Sequence, residues 1–333
     1  MHFESCTLRP KDAVYMTRTS QPQATPRKSD SALPALADAL AAIDAPAISP
    51  YELGRLLFEA LATSEVASPT TALKPAYQTV VQSLVQVRLL SPIPSTASTL
   101  AGYRLFGRKT ATPAEIACSL DPFAYVSHLS AMEYHGLTDR FPKTLFMSTP
   151  PLKEWRMQAS QRMSRDLGDQ LERYKASGLP RLTRPTLTAI DRTVIQFHER
   201  SQMGAFRRIA GSPLCVATVG RTFLDMLREP GLCGGMQHVL DIYRGQAKRY
   251  ASLIVDEIDR HGAPIDKVRA GYVLTEVCHL SLPAIEAWKA FAQRGGSRKL
   301  DPDAEYAADY SDTWKLSLNV PQLQRAEDDA DGE

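Results

Sequence analysis

The residue pairs in this chain that have the composition of reactive sites lack the partners such sites need. His128 and His135 lie seven apart, so a helix would carry both on one face, as a metal or catalytic pair requires. No third ligand accompanies them, and a structural role is expected. Cys215 with His198 or His238 has the composition of a nucleophile and base. Cys215, however, falls inside the apolar run Leu214-Cys215-Val216-Ala217, where packing is the expected role. Asp191 and Glu199 flank a strand-like run, Val194 to Phe197, without the lysine that a nuclease-like cluster would add. Arg221 and Asp225 have the four-residue spacing of a helical ion pair. Gly234-Gly235 precedes a helix-like segment and allows either anion binding or a tight turn there. The chain contains no GxSxG, HExxH, GxxxxGK[ST] or GxGxxG. The expectation is a protein that is not an enzyme, with no cofactor and no metal.

A different chemistry is suggested by where the charge sits. The net charge is only +2, which by itself announces no polyanion partner. Yet from Val66 to Thr110 there is no Asp or Glu, while Lys74, Arg88, Arg104, Arg108 and Lys109 all fall there. Cations that neutralise phosphates supply most non-specific DNA affinity, and nearby carboxylates would oppose them. Tyr77, Gln78 and Gln82 lie mostly off the apolar stripe of the same region, and glutamine can pair with an adenine edge. Tyr103, Arg104, Arg108 and Lys109 are placed to reach phosphates or the minor groove. In a second basic stretch, Lys153 to Arg208, the arginines are interleaved with acids over 156–175, and that part reads as a solvated amphipathic helix, with a supporting role against nucleic acid as the alternative.

The elements that must position these residues follow from periodicity. Leu36, Ala39, Leu40 and Ile43 predict a first helix. Ser49-Pro50-Tyr51-Glu52 is a capping-box start for a second, carrying Leu53, Leu56, Leu57, Ala60 and Leu61. Pro75 opens a third, with Val80, Val81, Leu84 and Val85 as its buried stripe. Two short strands follow, around Leu89–Ile93 and Gly102–Gly107, joined by a Pro/Ser/Thr-rich loop. Three helices and a β-hairpin are the order of a winged helix-turn-helix. Beyond residue 110, Thr112-Pro113-Ala114-Glu115 repeats the capping signature. Leu145–Ser148, Val194–Phe197 and Leu214–Ala217 predict strands, and Gly220–Arg228 and Gly235–Arg260 predict helices. The fold class expected is α+β: an N-terminal winged helix over 34–110, then a mixed α/β domain over 111–320. Polar tails at 1–33 and 321–333 are expected to be disordered. Five scattered cysteines without a CxxC pair suggest neither a disulfide framework nor structural zinc. No apolar run is long enough for a transmembrane helix and no signal peptide is visible, so a cytoplasmic location is expected.

Two segments in the second part bear a family resemblance. Tyr125-Val126-Ser127-His128-Leu129-Ser130-Ala131-Met132-Glu133-Tyr134-His135-Gly136-Leu137-Thr138 resembles the Y-[IV]-S-x-x-S-A-L-x-x-H-G-L-T run of AbiEi-type proteins. Arg221-Thr222-Phe223-Leu224-Asp225, continuing to Pro230 and Leu232-Cys233-Gly234-Gly235, is similar to their R-T-L-L-D…P-x-L-x-G-G run. Weaker echoes lie at Val268–Leu274 and Trp314–Asn319. The resemblance covers about residues 35–320. It implies an autorepressor that binds operator repeats in double-stranded DNA through a winged helix. It also implies an antitoxin domain countering an AbiEii-like nucleotidyltransferase toxin, which need not be touched. A protein-interaction module without DNA recognition, and a nuclease-like enzyme, are the alternatives.

Overall fold

The computed structural model describes residues 28–63, 73–95, 99–108, 110–293 and 298–321. The tail expected at 1–33 lies outside these as far as residue 27, and so do residues 322–333 of the other tail. From Lys28 onward the N-terminal stretch belongs to a helix, which moves the expected boundary at 33.

The N-terminal elements are α1 (Lys28–Ala41), β1 (Ala47–Ile48), α2 (Pro50–Thr63), α3 (Lys74–Gln86), β2 (Leu90–Pro94) and β3 (Leu100–Leu105). Helix α2 starts where the capping signature placed it. Glu52 N donates to Ser49 Oγ at 3.2 Å, and its carboxylate accepts from the Ser49 backbone. β1 pairs with β3 and β3 with β2, all antiparallel, giving the order β1-β3-β2. Gly102 lets β3 close on its neighbours, since a Cβ there would stand 2.4 Å from Leu120 Cδ2 and 2.7 Å from the Ile48 carbonyl.

The rest of the chain continues with α4 (Pro113–Leu120), β4 (Tyr125–Val126), α5 (His128–Tyr134) and β5 (Thr144–Thr149). Then come α6 (Leu152–Leu167), α7 (Leu171–Ala176), β6 (Ala189–Ile190), β7 (Thr193–Glu199), β8 (Phe206–Arg208) and β9 (Cys215–Ala217). These strands form one mixed sheet, ordered β6-β7-β5-β4-β9-β8, with β5–β7 and β4–β9 parallel and the other pairs antiparallel. Helices α8 (Val219–Arg228), α9 (Met236–His261), α10 (Pro264–Tyr272) and α11 (Pro283–Trp288) follow. A small ladder of β10 (Tyr310–Ser311) and β11 (Leu316–Ser317) comes last. The architecture is mixed α/β, and no described helix is long and apolar enough to cross a membrane.

Three hydrophobic cores hold these elements. One lies around the mixed sheet and α4, and one lies within the C-terminal helices around Phe223, Tyr243 and Trp314. The third joins the N-terminal elements to α6 and α7. Trp155, Ala159, Met163, Leu167 and Tyr174 are buried with Leu36, Tyr51, Leu57 and Val80. The single solvated helix expected over 156–175 is instead two helices, α6 and α7, broken at Gly168–Gln170, and their apolar faces complete the N-terminal unit's core. A division of the chain at residue 110 separates parts that share one core.

Candidate nucleic-acid interface

Helix α3 buries Tyr77, Val80 and Leu84 and leaves Gln78, Thr79, Gln82 and Gln86 exposed. The two exposed-face hydroxyl groups turn back on the helix: Thr79 Oγ1 donates to the Pro75 carbonyl and Ser83 Oγ to the Thr79 carbonyl, both at 3.1 Å. Lys74 stands exposed at the start of the helix. Arg88 stands exposed just past its end.

Arg88 occupies a position with a conformational cost. Arg88 N donates to Val85 O (3.0 Å) and Leu89 N to Leu84 O (2.9 Å), the two bonds of a Schellman ending. The residue at the bend has φ +61°, the left-handed region where glycine is the usual occupant. An arginine held there gives up roughly 1–2 kcal/mol relative to ordinary backbone. Among the described residues neither Arg88 nor Lys74 has an ion pair or hydrogen-bonded side chain.

The other basic residues of the acid-free segment are engaged. Arg104 Nη2 lies 2.9 and 2.8 Å from the two carboxylate oxygens of Asp191, in the turn between β6 and β7. The acid missing from the local sequence is thus supplied from far along the chain. Arg108 Nη2 donates to the Ile43 carbonyl at 2.7 Å and ties down the chain after α1. Lys109 lies outside the described residues. Tyr77 and Tyr103, expected on the DNA side, are core residues at 8% and 6% exposure. Tyr77 shares the inward face with Val80 and Leu84, and its hydroxyl meets Tyr103 and the Pro50 carbonyl. The expected set of nine contains four exposed, unpaired candidates: Lys74, Gln78, Gln82 and Arg88. Gln86 joins them. Its spacing of four from Gln82 was the available signal.

Arg88 and Arg104 line one cleft of about 990 Å³ between the β2–β3 hairpin and the β6–β7 turn, walled also by Pro92, Ile93, Phe106 and Ile190. Ser95, at the end of β2, is tied to the Thr186 carbonyl on the far side. The hairpin therefore leans on the mixed sheet's edge.

Some of the residues singled out for possible chemistry in the second part lie in a largely buried polar cluster that is partly open to solvent at Glu229. Ser148 Oγ donates to Ser127 Oγ (3.0 Å), and Ser127 Oγ lies 2.8 Å from His128 Nδ1. His128 Nε2 lies 2.8 Å from Glu229 Oε2, and Arg200 contacts both Glu229 and His128. Arg221 Nε faces Asp225 Oδ1 at 2.9 Å with both side chains fully buried. Burial is the main cause that pulls the pKa of His128 down to about 4; Arg200 and Arg221 add to it and Asp225 opposes it. His198, its ring 5.1 Å from that of His128, is likewise lowered to about 4, by burial first and then by His128 and Arg200. His135 does not join His128: its Nε2 bonds the Ala217 carbonyl at 2.7 Å. Gly234 and Gly235 are both left-handed and form a tight turn, with Gly235 N donating to the Pro230 carbonyl. Cys215 is buried, burial raises its thiol pKa, and its carbonyl accepts from the Cys118 thiol. Glu199 is paired with Arg184 at 2.7 Å. Among the described residues no three His, Cys, Asp or Glu side chains gather as a metal site.

No family profile and no curated protein matches this chain. Among solved structures it is similar to the RV2827C protein from Mycobacterium tuberculosis. That likeness has 12% identity over 89% of this chain and 94% of that one, and a TM-score of 0.44. A likeness of that degree says nothing about activity or partners.

Proposed function

We propose that the N-terminal unit is a winged helix that binds double-stranded operator DNA with α3 in the major groove. The observation that carries this reading is the uncovered face of α3. It is acid-free, lined with carboxamides, and flanked by the unpaired cations Lys74 and Arg88. The element order α1-β1-α2-α3-β2-β3 and the sheet order β1-β3-β2 support it, because a helix-turn-helix followed by a hairpin presents its last helix this way. The strained Arg88 supports it too, since a costly backbone position filled by a cation points to use of the cation.

In this reading the chain is the autorepressor and antitoxin of an AbiE-like pair, acting against an AbiEii-like nucleotidyltransferase. What supports the second half is narrower. The two segments that resemble AbiEi proteins, 125–138 and 221–235, pack together around His128, Glu229 and the Arg221–Asp225 pair. The test is a gel shift of the full chain on DNA upstream of its own gene, across a salt series, with growth rescue by coexpression against the neighbouring gene. Retention that is insensitive to salt and sequence refutes the DNA half, and growth arrest unrelieved by the chain refutes the other.

A further inference from the structure

Resting on the DNA reading, we propose that α3 specifies adenine and not guanine: its operator bases are read by Gln78, Gln82 and Gln86 acting as one stripe. These side chains lie at i, i+4 and i+8, all exposed. At 1.5 Å per residue they span about 12 Å along the helix, the length of roughly four base-pair steps. Thr79 and Ser83 share this side of the helix, but their hydroxyl hydrogens are already given to the Pro75 and Thr79 carbonyls. The free donors on the stripe are therefore the three carboxamides.

The chemistry of a carboxamide then decides the base. In the major groove adenine presents an acceptor, N7, beside a donor, N6–H, and one glutamine amide complements both. Guanine presents two acceptors, N7 and O6, and calls for a side chain with two donors, arginine or lysine. No arginine or lysine stands between Gln78 and Gln86; Lys74 continues the same line one turn earlier, at the first residue of the helix. Lys74 and Arg88 are exposed before the first and after the last of the three glutamines, and the proposal assigns them to the flanking phosphates. A glutamine that meets guanine leaves its own carbonyl oxygen against O6, two acceptors with no proton between them. The contacted half-site therefore carries two or three adenines on the strands facing α3.

The experiment uses the full-length chain and a pool of random duplexes, selected for retention at moderate salt. The selected site is then remade with 7-deazaadenine, which lacks N7, and separately with 7-deazaguanine. The expected result is a loss of about 5- to 100-fold in affinity with 7-deazaadenine at the central positions. 7-Deazaguanine should leave affinity unchanged, and Q82A should become indifferent to 7-deazaadenine while keeping the wild-type circular dichroism. Guanine-dependent retention, or a selected site unaffected by 7-deazaadenine, overturns the adenine assignment and leaves DNA binding standing. Failure to retain any duplex even at low salt overturns both.

Discussion

Arg88→Gly separates folding from the proposed DNA binding, because the two should move in opposite directions. Arg88 has φ +61° at the left-handed end of α3. Glycine relieves a strain of roughly 1–2 kcal/mol there, and offsets part of that gain by ordering a more flexible chain, roughly 0.5–1 kcal/mol. The net expectation is a protein at least as stable, by up to about 1.5 kcal/mol, from those two figures. The same change removes one of two unpaired cations beside the glutamine stripe. Each phosphate contact contributes about 0.9 to the slope of log affinity against log salt. Arg88→Gly and Lys74→Ala should each flatten that slope by about 0.9, and the double variant by about 1.8. Arg104→Ala is the control: with its guanidinium already on Asp191, the slope should change little. Urea unfolding reads the first quantity and fluorescence anisotropy on a fixed duplex across a salt series reads the second. A less stable Arg88→Gly protein refutes the strain argument. An unchanged slope in the double variant, or an Arg104→Ala effect equal to that of Lys74→Ala, refutes the placement of the DNA face.

Asp191→Asn should release Arg104 into the cleft it shares with Arg88, steepening the salt slope by about 0.9. Stability should fall by less than about 1 kcal/mol, since the pair is exposed, and an unchanged slope would show that Arg104 never reaches phosphate. Asp225→Ala should cost about 3–5 kcal/mol in urea unfolding by stranding the Arg221 guanidinium in the interior, and a loss below about 1 kcal/mol would show the site relaxing to admit water. His128 takes up a proton at about 4 when folded, against 6.5 for the free side chain. A folded pKa below the unfolded one means stability intact above about pH 6.5 and falling as pH drops towards 4, by up to about 3 kcal/mol. His128→Asn, which tolerates the φ of +52° there, should remove the His128 share of the acid loss and leave that of His198, whose pKa is lowered in the same way. A variant that keeps the full pH slope assigns the slope to other groups.

Local signals were legible in the sequence and long-range ones were not. The two capping boxes needed only four residues each, and both formed where read, at Ser49–Glu52 and Thr112–Glu115. The strands at Leu145, Val194 and Cys215 and the helices α8 and α9 stand within a residue or two of their expected bounds. Periodicity also held information that residue type obscured. Tyr77 is three and seven before Val80 and Leu84, and Tyr103 alternates with Leu105, so both belonged to buried faces. Their hydroxyl groups suggested polar work that the face did not permit. Nothing local could reveal that Asp191 would quench Arg104 across 87 residues, or that Arg108 would be spent on Ile43. The same limit hid the union of α6 and α7 with the N-terminal core, because an amphipathic helix shows which face it buries and never against what.

The segments that carry the family resemblance hold several fully buried polar residues. Tyr125, Ser127, His128, Arg221 and Asp225 are buried, and the Arg221–Asp225 pair makes no hydrogen bond to any other group among the described residues. A buried pair of this kind contributes little net stability when whole, and its disruption is costly; the polar link between the two segments is His128 Nε2 to Glu229 Oε2. Resemblance built on such residues speaks to how the second part of the chain folds. It carries no information about the base reading proposed for α3, whose exposed residues lie wholly outside both segments. The two proposed roles should therefore separate under mutation. Asp225→Ala should remove the proposed repression and the proposed antitoxicity together, through the fold. Lys74→Ala with Arg88→Gly should remove the proposed repression from a protein that is still folded and still protective. Loss of growth rescue in that folded double variant would mean that antitoxicity acts through repression of the toxin gene, with no separate contribution from the α/β part of the chain.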